Sequence, residues 1–356
     1  MKTIIVDPFP RQMDLIFSKD KLVYLKKNFK LINAPIKNKK NFYQNNISKA
    51  DFIIGQPDLP NSILKKAAKL KAIFNVESNF MDNMDYEYCF RNGIYVLSTA
   101  PVFAQTVAEI AVGFTLSLKR EIHQSHIDFI NNKEKYGLES NMNSSLLQNN
   151  TVSFIGFGDL AKKLKPLLEP FTNNFLAYDP WLPSKLLEDN NCKINSLNEI
   201  FKKSDVIYVL SSITTKNKHM IDKKLLSLMK QNSCLLILSR ANVVNFKDLL
   251  KISKKRKIKV ATDVFPEEPV KKDDPIRKSK NILFSAHRAG ALESVFYEMG
   301  EIVFEDLKLI NKGLPPKLCR KAELETVRKL RSKPVKINSV SYNTSPSPRD
   351  RYGSRM

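Results

Sequence analysis

The sequence predicts an α/β protein made of two domains, each built on a mainly parallel sheet. Short apolar segments recur along the chain with helical segments between them, and this alternation is typical of parallel strands joined by crossover helices. At 356 residues the chain is longer than one hydrophobic core usually supports. A glycine-containing turn also joins an apolar segment to a helical one in SFIGFGDLA, residues 153–161. These features favour two sheet-based domains, one of which carries a ligand-binding turn.

The first half of the chain contains four strand-like segments and then a long helix. The strand-like segments are 3–6, 51–55, 71–76 and 93–98. The segment QTVAEIAVGFTLSLKR, residues 105–120, is amphipathic and is interpreted as a connecting helix. Residues 121–150 are rich in Asn, Ser and Lys, which predicts an arm or loop. His123 and His126 lie in this region with no further ligand nearby, so we interpret them as part of a solvated helix face.

The second half has six strand-like segments, the number expected of a dinucleotide-binding domain. In order they are TVSFIGFG, NNFLAYDP, SDVIYVLS, NSCLLILS, KIKVATDVF and NILFSAH. A helix is predicted next over LESVFYEMGEIVFEDLKLINKG, closed by Gly313 and by the breaker pair Pro315 and Pro316. We expect this helix to return to the first domain.

The end of the chain, residues 337–356, differs in composition from the rest. From Ser341 or Tyr342 onward the sequence is dominated by Ser, Pro and Arg and has no apolar period. This composition predicts a disordered tail, and it resembles translated adapter sequence more than a segment selected to fold.

The excess of positive charge raises the question of nucleic-acid binding. The net charge is +23, but it is spread along the chain. Its densest stretch, KISKKRKIKV from Lys251, has no interleaved aromatic residues and matches no recognition-helix pattern. We therefore favour a solvated surface that helps to attract an anionic substrate, with a nucleic-acid site as the alternative.

Cysteine spacing and hydropathy predict a soluble, cytoplasmic protein. The four cysteines are far apart and form no C-x-x-C pair, so buried reduced thiols are expected rather than a zinc site or disulfides. The start, MKTIIVDPFP, has an apolar run too short for a signal peptide. No later stretch approaches eighteen uncharged apolar residues, so we expect no membrane span.

The turn at Gly156 and Gly158 has the spacing of a dinucleotide-binding motif, with Ala161 in the third position. The first glycine permits the tight bend, the second lets the backbone approach a pyrophosphate, and the small third residue lets helix and strand pack closely. Asp179 follows the next strand at the distance expected for an acid that binds the adenosine ribose. Such a carboxylate repels a 2′-phosphate, which favours NAD. The alternative is a glycine turn of an α/β fold without a cofactor.

Three further strand ends carry residues suited to chemistry. Arg240 ends LLILSR, Glu267 and Glu268 lie in the proline-flanked loop VFPEEP, and His287 ends NILFSAH. Ligands of open α/β sheets bind beyond the carboxyl ends of the strands. Each residue also has an ordinary structural interpretation, as a helix cap, a surface acid or a core histidine. Their joint presence on one predicted cofactor domain favours a catalytic site.

The order of GFGDLA, YDP, SRA, DVFPEEP and SAHRAG resembles the D-isomer-specific 2-hydroxyacid dehydrogenase family, and the resemblance extends to about residue 336. It implies two Rossmann-like or flavodoxin-like domains, with the dinucleotide-binding domain inserted into a split substrate domain. The substrate domain would comprise residues 1–99 and 291–336. Residues 100–290 would form the NAD-binding domain, whose connecting helix and arm, about 100–150, would mediate a homodimer.

The resemblance also implies roles for individual residues. Arg240 would hold the substrate carboxylate, His287 would exchange the proton, and Glu268 would partner the histidine. Contacts with NAD are expected from Thr106, Gly156, Gly158, Asp159, Leu160, Asp179 and Asp263. Ser78 and Asn79 would bind substrate through their backbone, although Phe80 adds bulk where many relatives of the family have none. Ala241 and Leu210 are further departures from the family pattern.

The function expected from these residues is NAD-dependent hydride transfer between the nicotinamide and C2 of a small D-2-hydroxy acid or 2-keto acid. No metal is expected. The alternative is a non-catalytic, NAD-sensing scaffold of the same fold, which the intact Arg240, Glu268 and His287 disfavour. The sequence does not identify the 2-hydroxy acid, the direction or the pathway.

Overall fold

The structure, a computed structural model, describes residues 1–9, 11–76, 80–214, 216–279, 281–324 and 327. The chain divides into two compact units, one formed by Met1–Pro101 with the segment from Phe296 onward and the other by Val102–Val295. Each unit has its own mainly parallel sheet, so the predicted fold class is confirmed. The predicted tail, 337–356, lies outside the described residues.

The first unit contains a six-stranded sheet, and its elements are numbered here in chain order. They are β1 (Lys2–Asp7), α1 (Met13–Ile16), α2 (Lys19–Asn28), β2 (Phe29–Asn33), α3 (Lys39–Asn46), β3 (Phe52–Gly55), α4 (Asn61–Leu64), β4 (Ala72–Asn75), α5 (Tyr86–Arg91), β5 (Tyr95–Ser98), α13 (Glu293–Asn311) and β13 (Arg320–Lys321). The strand order is β13-β5-β4-β3-β1-β2, and only β13 is antiparallel to its neighbour.

Helix α13 packs tightly on the first unit. A Cβ atom added at Gly300 would lie 2.0 Å from the carbonyl oxygen of Ile16, so only glycine permits this approach. Near the end of the helix, Asp306 is fully buried, and its carboxylate accepts the backbone N–H groups of Lys317, Leu318 and Cys319 at 2.7–3.1 Å. These bonds hold the turn that leads into β13.

The second unit contains a seven-stranded parallel sheet. Its elements are α6 (Ala104–Arg120), α7 (Ile122–Ile130), β6 (Val152–Ile155), α8 (Asp159–Leu168), β7 (Phe175–Tyr178), α9 (Ser184–Asp189), β8 (Lys193–Ile194), α10 (Leu197–Lys203), β9 (Val206–Val209), α11 (Lys223–Leu226), β10 (Cys234–Ile237), α12 (Phe246–Arg256), β11 (Lys259–Thr262) and β12 (Ile282–Phe284). The strand order is β12-β11-β10-β9-β6-β7-β8. Because the order reverses between β6 and β9, the carboxyl ends of these two strands form the crevice in which such sheets bind ligands.

Apolar side chains cover both faces of this sheet. One layer includes Phe154, whose ring stacks on those of Phe175 and Tyr208 at centroid distances of 6.0 and 5.8 Å. The other layer lies between the sheet and α10 to α12, where Leu226 and Leu249 are fully buried. Strands buried on both faces have the continuous apolar sequences from which they were predicted.

The helical segment Ala100–Arg120, which includes α6, is long and apolar enough to cross a membrane by length and composition. The sequence-based expectation concerned stretches of eighteen uncharged apolar residues, and this segment contains Glu109 and several polar residues. In the structure α6 packs along α8 and against β10 and β11, with Ala108 and Ala111 buried in the core. A core helix of a soluble protein meets the same criterion.

Candidate active site

The dinucleotide turn lies between β6 and α8, as the sequence predicted. Gly156 has φ +91°, and a Cβ atom at this position would lie 2.6 Å from the backbone nitrogen of Ser211. Only glycine fits there, because the backbone is both left-handed and in close contact with the end of β9. A Cβ at Gly158 would meet nothing within 4 Å, so space is open above the turn. Ala161 is fully buried, which lets α8 pack closely on the sheet.

The first turn of α8 faces this space. Asp159 and Leu160 begin the helix and are both half-buried. The first N–H groups of a helix have no intrahelical acceptor, so the start of α8 is suited to bind the negative charge of a pyrophosphate.

Asp179 lies beside the turn, at the end of β7. Its Oδ2 accepts the N–H of Phe157 at 2.9 Å, and its Oδ1 accepts the N–H of Trp181 at 3.0 Å. These two bonds fix the carboxylate next to the glycine turn, 22 residues after Phe157 in the sequence. Each oxygen keeps a second lone pair with which it can accept a ribose hydroxyl.

Sequence reasoning missed one polar group in the crevice. The hydroxyl of Ser211, at the end of β9, is buried and has no hydrogen-bond partner among the described residues. A buried hydroxyl without a partner is costly, and a ligand above Gly156 would supply one. The open glycine turn, the fixed Asp179 and this hydroxyl together fit a bound dinucleotide.

His287 and Glu268 are in direct contact. The Nδ1 atom of His287 lies 2.5 Å from Oε2 of Glu268, while Oε1 of Glu268 accepts the N–H of Phe265 at 2.8 Å. With Glu268 ionised, Nδ1 carries a proton toward the carboxylate, and Nε2 is left to exchange a proton with a ligand. Glu267 instead forms an ion pair with Lys271 at 3.4 Å. The structure therefore brings Glu268, and not Glu267, to the histidine.

The turn that carries His287 is held by Asp263. The carbonyl oxygen of Asp263 accepts the N–H of His287 at 2.7 Å, and its carboxylate oxygens accept those of Arg288 and Ala289 at 3.1 Å each. His287 has φ +48°, a left-handed conformation that costs energy in a residue other than glycine. Asp263 is 2% exposed, so these bonds form in a dry environment. We had expected Asp263 to contact the cofactor; the contact visible here is with the histidine turn.

Two other predicted residues lie near this turn or at the same edge of the sheet. Thr106, in the first turn of α6, donates its hydroxyl to the carbonyl of Phe103, and the ring of Phe103 packs against Gly290. Arg240 is half-buried, follows β10, and donates from Nη1 to the carbonyl of Ser239 at 2.7 Å. Because β10, β11 and β12 are parallel neighbours, the loops carrying Arg240, Glu268 and His287 leave from one edge.

The predicted substrate residues Ser78 and Asn79 lie outside the described residues. Phe80, which we expected to add bulk to this loop, is 3% exposed and packs edge-on against the ring of Tyr86 at 6.4 Å. It belongs to the core of the first unit. The bulk of this ring is therefore directed into that core.

The dinucleotide turn and the histidine–carboxylate pair at one sheet edge define a nicotinamide-dependent dehydrogenase. Comparisons with known proteins agree: residues 112–289 match the family described as D-isomer specific 2-hydroxyacid dehydrogenase, NAD binding domain. The chain belongs to this family, as its sequence motifs predicted. It acts as an NAD-dependent oxidoreductase on CH–OH donors.

Individual relatives support the same assignment. A phosphoglycerate oxidoreductase from Rhizobium etli, known from a crystal structure, is 39% identical in sequence and superposes with a TM-score of 0.82. The match covers 92% of this chain and 100% of the crystallised chain. A glyoxylate reductase from Thermococcus litoralis is 29% identical over 73% of this chain and 80% of its own length. A D-3-phosphoglycerate dehydrogenase from Methanocaldococcus jannaschii is 29% identical over 70% of this chain. This chain spans 47% of the length of that last relative.

Proposed function

We propose that this protein interconverts a small anionic 2-hydroxy acid and the corresponding 2-keto acid, with His287 as the acid–base group. The observation that carries the proposal is the contact between His287 Nδ1 and Glu268 Oε2 at the carboxyl edge of the cofactor sheet. That contact leaves Nε2 as the proton-exchanging atom. The test is removal of the imidazole, which should lower turnover strongly and leave NAD binding intact.

The protein residues have separable tasks in this reaction. Bound NADH supplies the hydride that reduces C2 of the keto acid. In that direction His287 Nε2 donates a proton to the carbonyl oxygen, and in oxidation it accepts the hydroxyl proton. The Glu268 carboxylate contacts Nδ1 and so orients the ring with Nε2 toward the substrate position.

Arg240 is proposed to bind the substrate carboxylate. A guanidinium can form two parallel hydrogen bonds with a carboxylate and so orient C2 as well as attract the charge. The position of Arg240 at the edge shared with His287 supports this role. Backbone contacts from Ser78 and Asn79 remain part of the prediction.

Cofactor selectivity is proposed to depend on Asp179. Its carboxylate is fixed next to the dinucleotide turn by Phe157 and Trp181, where a 2′-phosphate would meet like charge. Asp179→Ala should narrow the preference for NADH over NADPH. Equal affinity of the unaltered protein for both cofactors, measured by calorimetry, would contradict this proposal.

The substrate is proposed to be phosphoglycerate or a two-carbon hydroxy acid. The relatives carry the names phosphoglycerate oxidoreductase and glyoxylate reductase, and the net charge of +23 suits an anionic substrate. The experiment is NADH oxidation with glyoxylate, pyruvate and the 2-keto acid derived from 3-phosphoglycerate. Turnover with none of a broad panel of keto acids would favour the NAD-sensing scaffold instead.

We also propose that the protein is a cytoplasmic homodimer. Helix α7 and the segment after it expose large apolar side chains, including Phe129 at 63% and Leu138 at 82%. A second copy of the chain would cover them. Phe129→Asp should convert dimers to monomers in sedimentation velocity, whereas Ile194→Asp, at an exposed apolar residue of β8, should not.

Nucleic acid is not proposed as a partner. Four cationic side chains, Lys223, Lys251, Lys255 and Arg256, surround a groove between α11 and α12. That groove has no aromatic side chain on which bases could stack. DNA affinity that falls steeply with salt would reverse this conclusion.

A further inference from the structure

A polar cavity lies at the amino edge of the cofactor sheet, where β6, β9 and β10 begin. Its volume is about 500 Å³. The lining includes Lys119 from the last turn of α6, Gln148 and Asn150 before β6, Asp205 before β9, and Asn232 and Ser233 before β10. The nicotinamide chemistry takes place at the carboxyl edge, so the dehydrogenase reaction gives this cavity no role.

Lys119 is the unusual residue of the cavity, because it is only 4% exposed. Within the part of the chain that the structure describes, its ammonium group makes no hydrogen bond or ion pair. Burial lowers the pKa of Lys119, while Cys234 and Asp205 act in the opposite direction. The buried part of the residue is its aliphatic stem, while the ammonium faces the cavity beside the negative end of the α6 dipole.

The charged neighbours of Lys119 are already paired with other groups. Asp205 accepts from Lys230 at 2.8 Å and from the N–H of Thr151 at 2.9 Å. Lys259 contacts Glu121 at 3.1 Å and also donates to the carbonyl of Leu118. Among the described residues, Asp205 thus pairs with Lys230 and Glu121 with Lys259, and no carboxylate pairs with Lys119.

Asn150 supplies an independent observation at the same cavity. Its Oδ1 atom is buried and accepts no hydrogen bond from the described residues, whereas its Nδ2 donates to the carbonyl of Gln148 at 3.3 Å. The cavity therefore presents both a cation that lacks an acceptor and an acceptor that lacks a donor. A single ligand would satisfy both if it carried an anionic group and an O–H or N–H group.

We propose that this cavity binds a small carboxylate that also bears a hydroxyl or ammonium group, with the carboxylate on Lys119 and the donor on Asn150 Oδ1. The site is separate from the reaction centre and does not depend on the proposed substrate. Because the ligand would bridge α6 and the start of β6, its binding should stabilise the second unit.

The test is thermal unfolding of the full chain with its other anion-binding groups removed or filled. Arg240→Gln removes the guanidinium proposed to hold a carboxylate, and saturating NADH fills the dinucleotide site. Glycolate, acetate and chloride are compared at equal ionic strength; glycolate and NADH do not react with each other, since both are reduced. We expect the melting temperature to rise most with glycolate, less with acetate and least with chloride.

Substitutions in that background identify the site. Lys119→Met should weaken glycolate binding by about tenfold or more, as expected for loss of a charge-assisted hydrogen bond. Asn150→Ala should remove the advantage of glycolate over acetate. The matched control is Lys247→Met, at an exposed lysine of α12, which removes the same charge and should preserve the glycolate effect.

Three outcomes would overturn the proposal. The first is equal melting temperatures with glycolate and chloride in the background protein. The second is an undiminished glycolate effect after Lys119→Met. The third is failure to fold of both Lys119→Met and Lys119→Gln, because it would show that the ammonium is required for packing rather than for a ligand.

Discussion

Two buried aspartates, one in each unit, hold a turn by the same means but to different ends. Asp306 in the first unit binds three consecutive backbone N–H groups and fixes the path from α13 to β13. Asp263 in the second unit binds the N–H groups of Arg288 and Ala289 and fixes the turn of His287. One turn leads into a strand, and the other carries His287, the proposed acid–base residue. A buried carboxylate clamp is therefore a general device of this chain, and the residue on the turn determines whether it serves chemistry.

The largest effect, on kcat, is expected from replacing His287, the side chain that distinguishes the second turn from the first. His287→Asn removes the proton-exchanging Nε2, so kcat should fall by roughly 10²–10⁴-fold. Steady-state kinetics measures the loss, and calorimetry should show unchanged NADH affinity. The control is His126→Asn on α7. An equal loss in both variants would mean that His287 is not the acid–base group.

The neighbouring glutamates provide the next test. Glu268→Gln keeps the shape but removes the charge that contacts His287, and kcat should fall by about 10–100-fold, the range for loss of a charged hydrogen bond. Glu267→Gln should change kcat little, because that side chain pairs with Lys271. If only the Glu267 substitution lowers kcat, the partner of His287 has been assigned wrongly.

The clamps themselves can be compared by conservative substitution. Asp263→Asn and Asp306→Asn each weaken buried bonds to backbone N–H groups, and each should lower the free energy of unfolding by about 1–3 kcal/mol. Only Asp263→Asn should also lower kcat, since only its turn carries His287. Urea unfolding and steady-state kinetics on both proteins provide the measurements. A comparable loss of kcat in the Asp306 variant would contradict the claim that only the turn held by Asp263 supports catalysis.

The smallest effect concerns a thiol beside the first clamp. Burial and then the charge of Asp306 raise the pKa of Cys319, so the thiol stays protonated in the folded protein. The protonated thiol's contribution to the free energy of unfolding is complete below the ordinary thiol pKa. It is lost progressively as the pH rises from there toward the raised pKa of the folded protein. Asp306→Asn should therefore increase the rate of Cys319 alkylation at alkaline pH. Mass spectrometry after iodoacetamide treatment measures this rate, with Cys192, whose burial raises its pKa to about 11, as the reference thiol.

The sequence predicted the parts of the fold that are set by local pattern. The six predicted strands of the second unit are present because strands buried on both faces are continuously apolar. The edge strands β2, β8 and β13 were missed, because their residues are partly or largely exposed and lack that pattern, whereas the edge strand β12 has an apolar sequence and was predicted. All four cysteines are buried and free, as expected.

The candidate site was predicted in part. The glycine turn, Asp179 and the pair of Glu268 and His287 could be identified because their spacing is local or matches a family pattern. The visible role of Asp263 could not, since it depends on which backbone groups lie opposite the carboxylate. Lys119 was missed for another reason: a lysine in the last turn of a helix looks like an ordinary surface cation.

The clamp at His287 also constrains how this enzyme can be varied. The Asp263 carboxylate accepts hydrogen bonds only from the backbone N–H groups at positions 288 and 289. Replacing the Arg288 side chain should therefore leave these bonds in place. Gly290 is different, because any Cβ there would lie 2.9 Å from the ring of Phe103. A saturation library at position 288 should therefore keep most of its members folded, whereas one at position 290 should keep few. Positions 288 and 290 of one loop thus differ in tolerance, and position 288 can be varied without changing the bonds that hold the turn of His287.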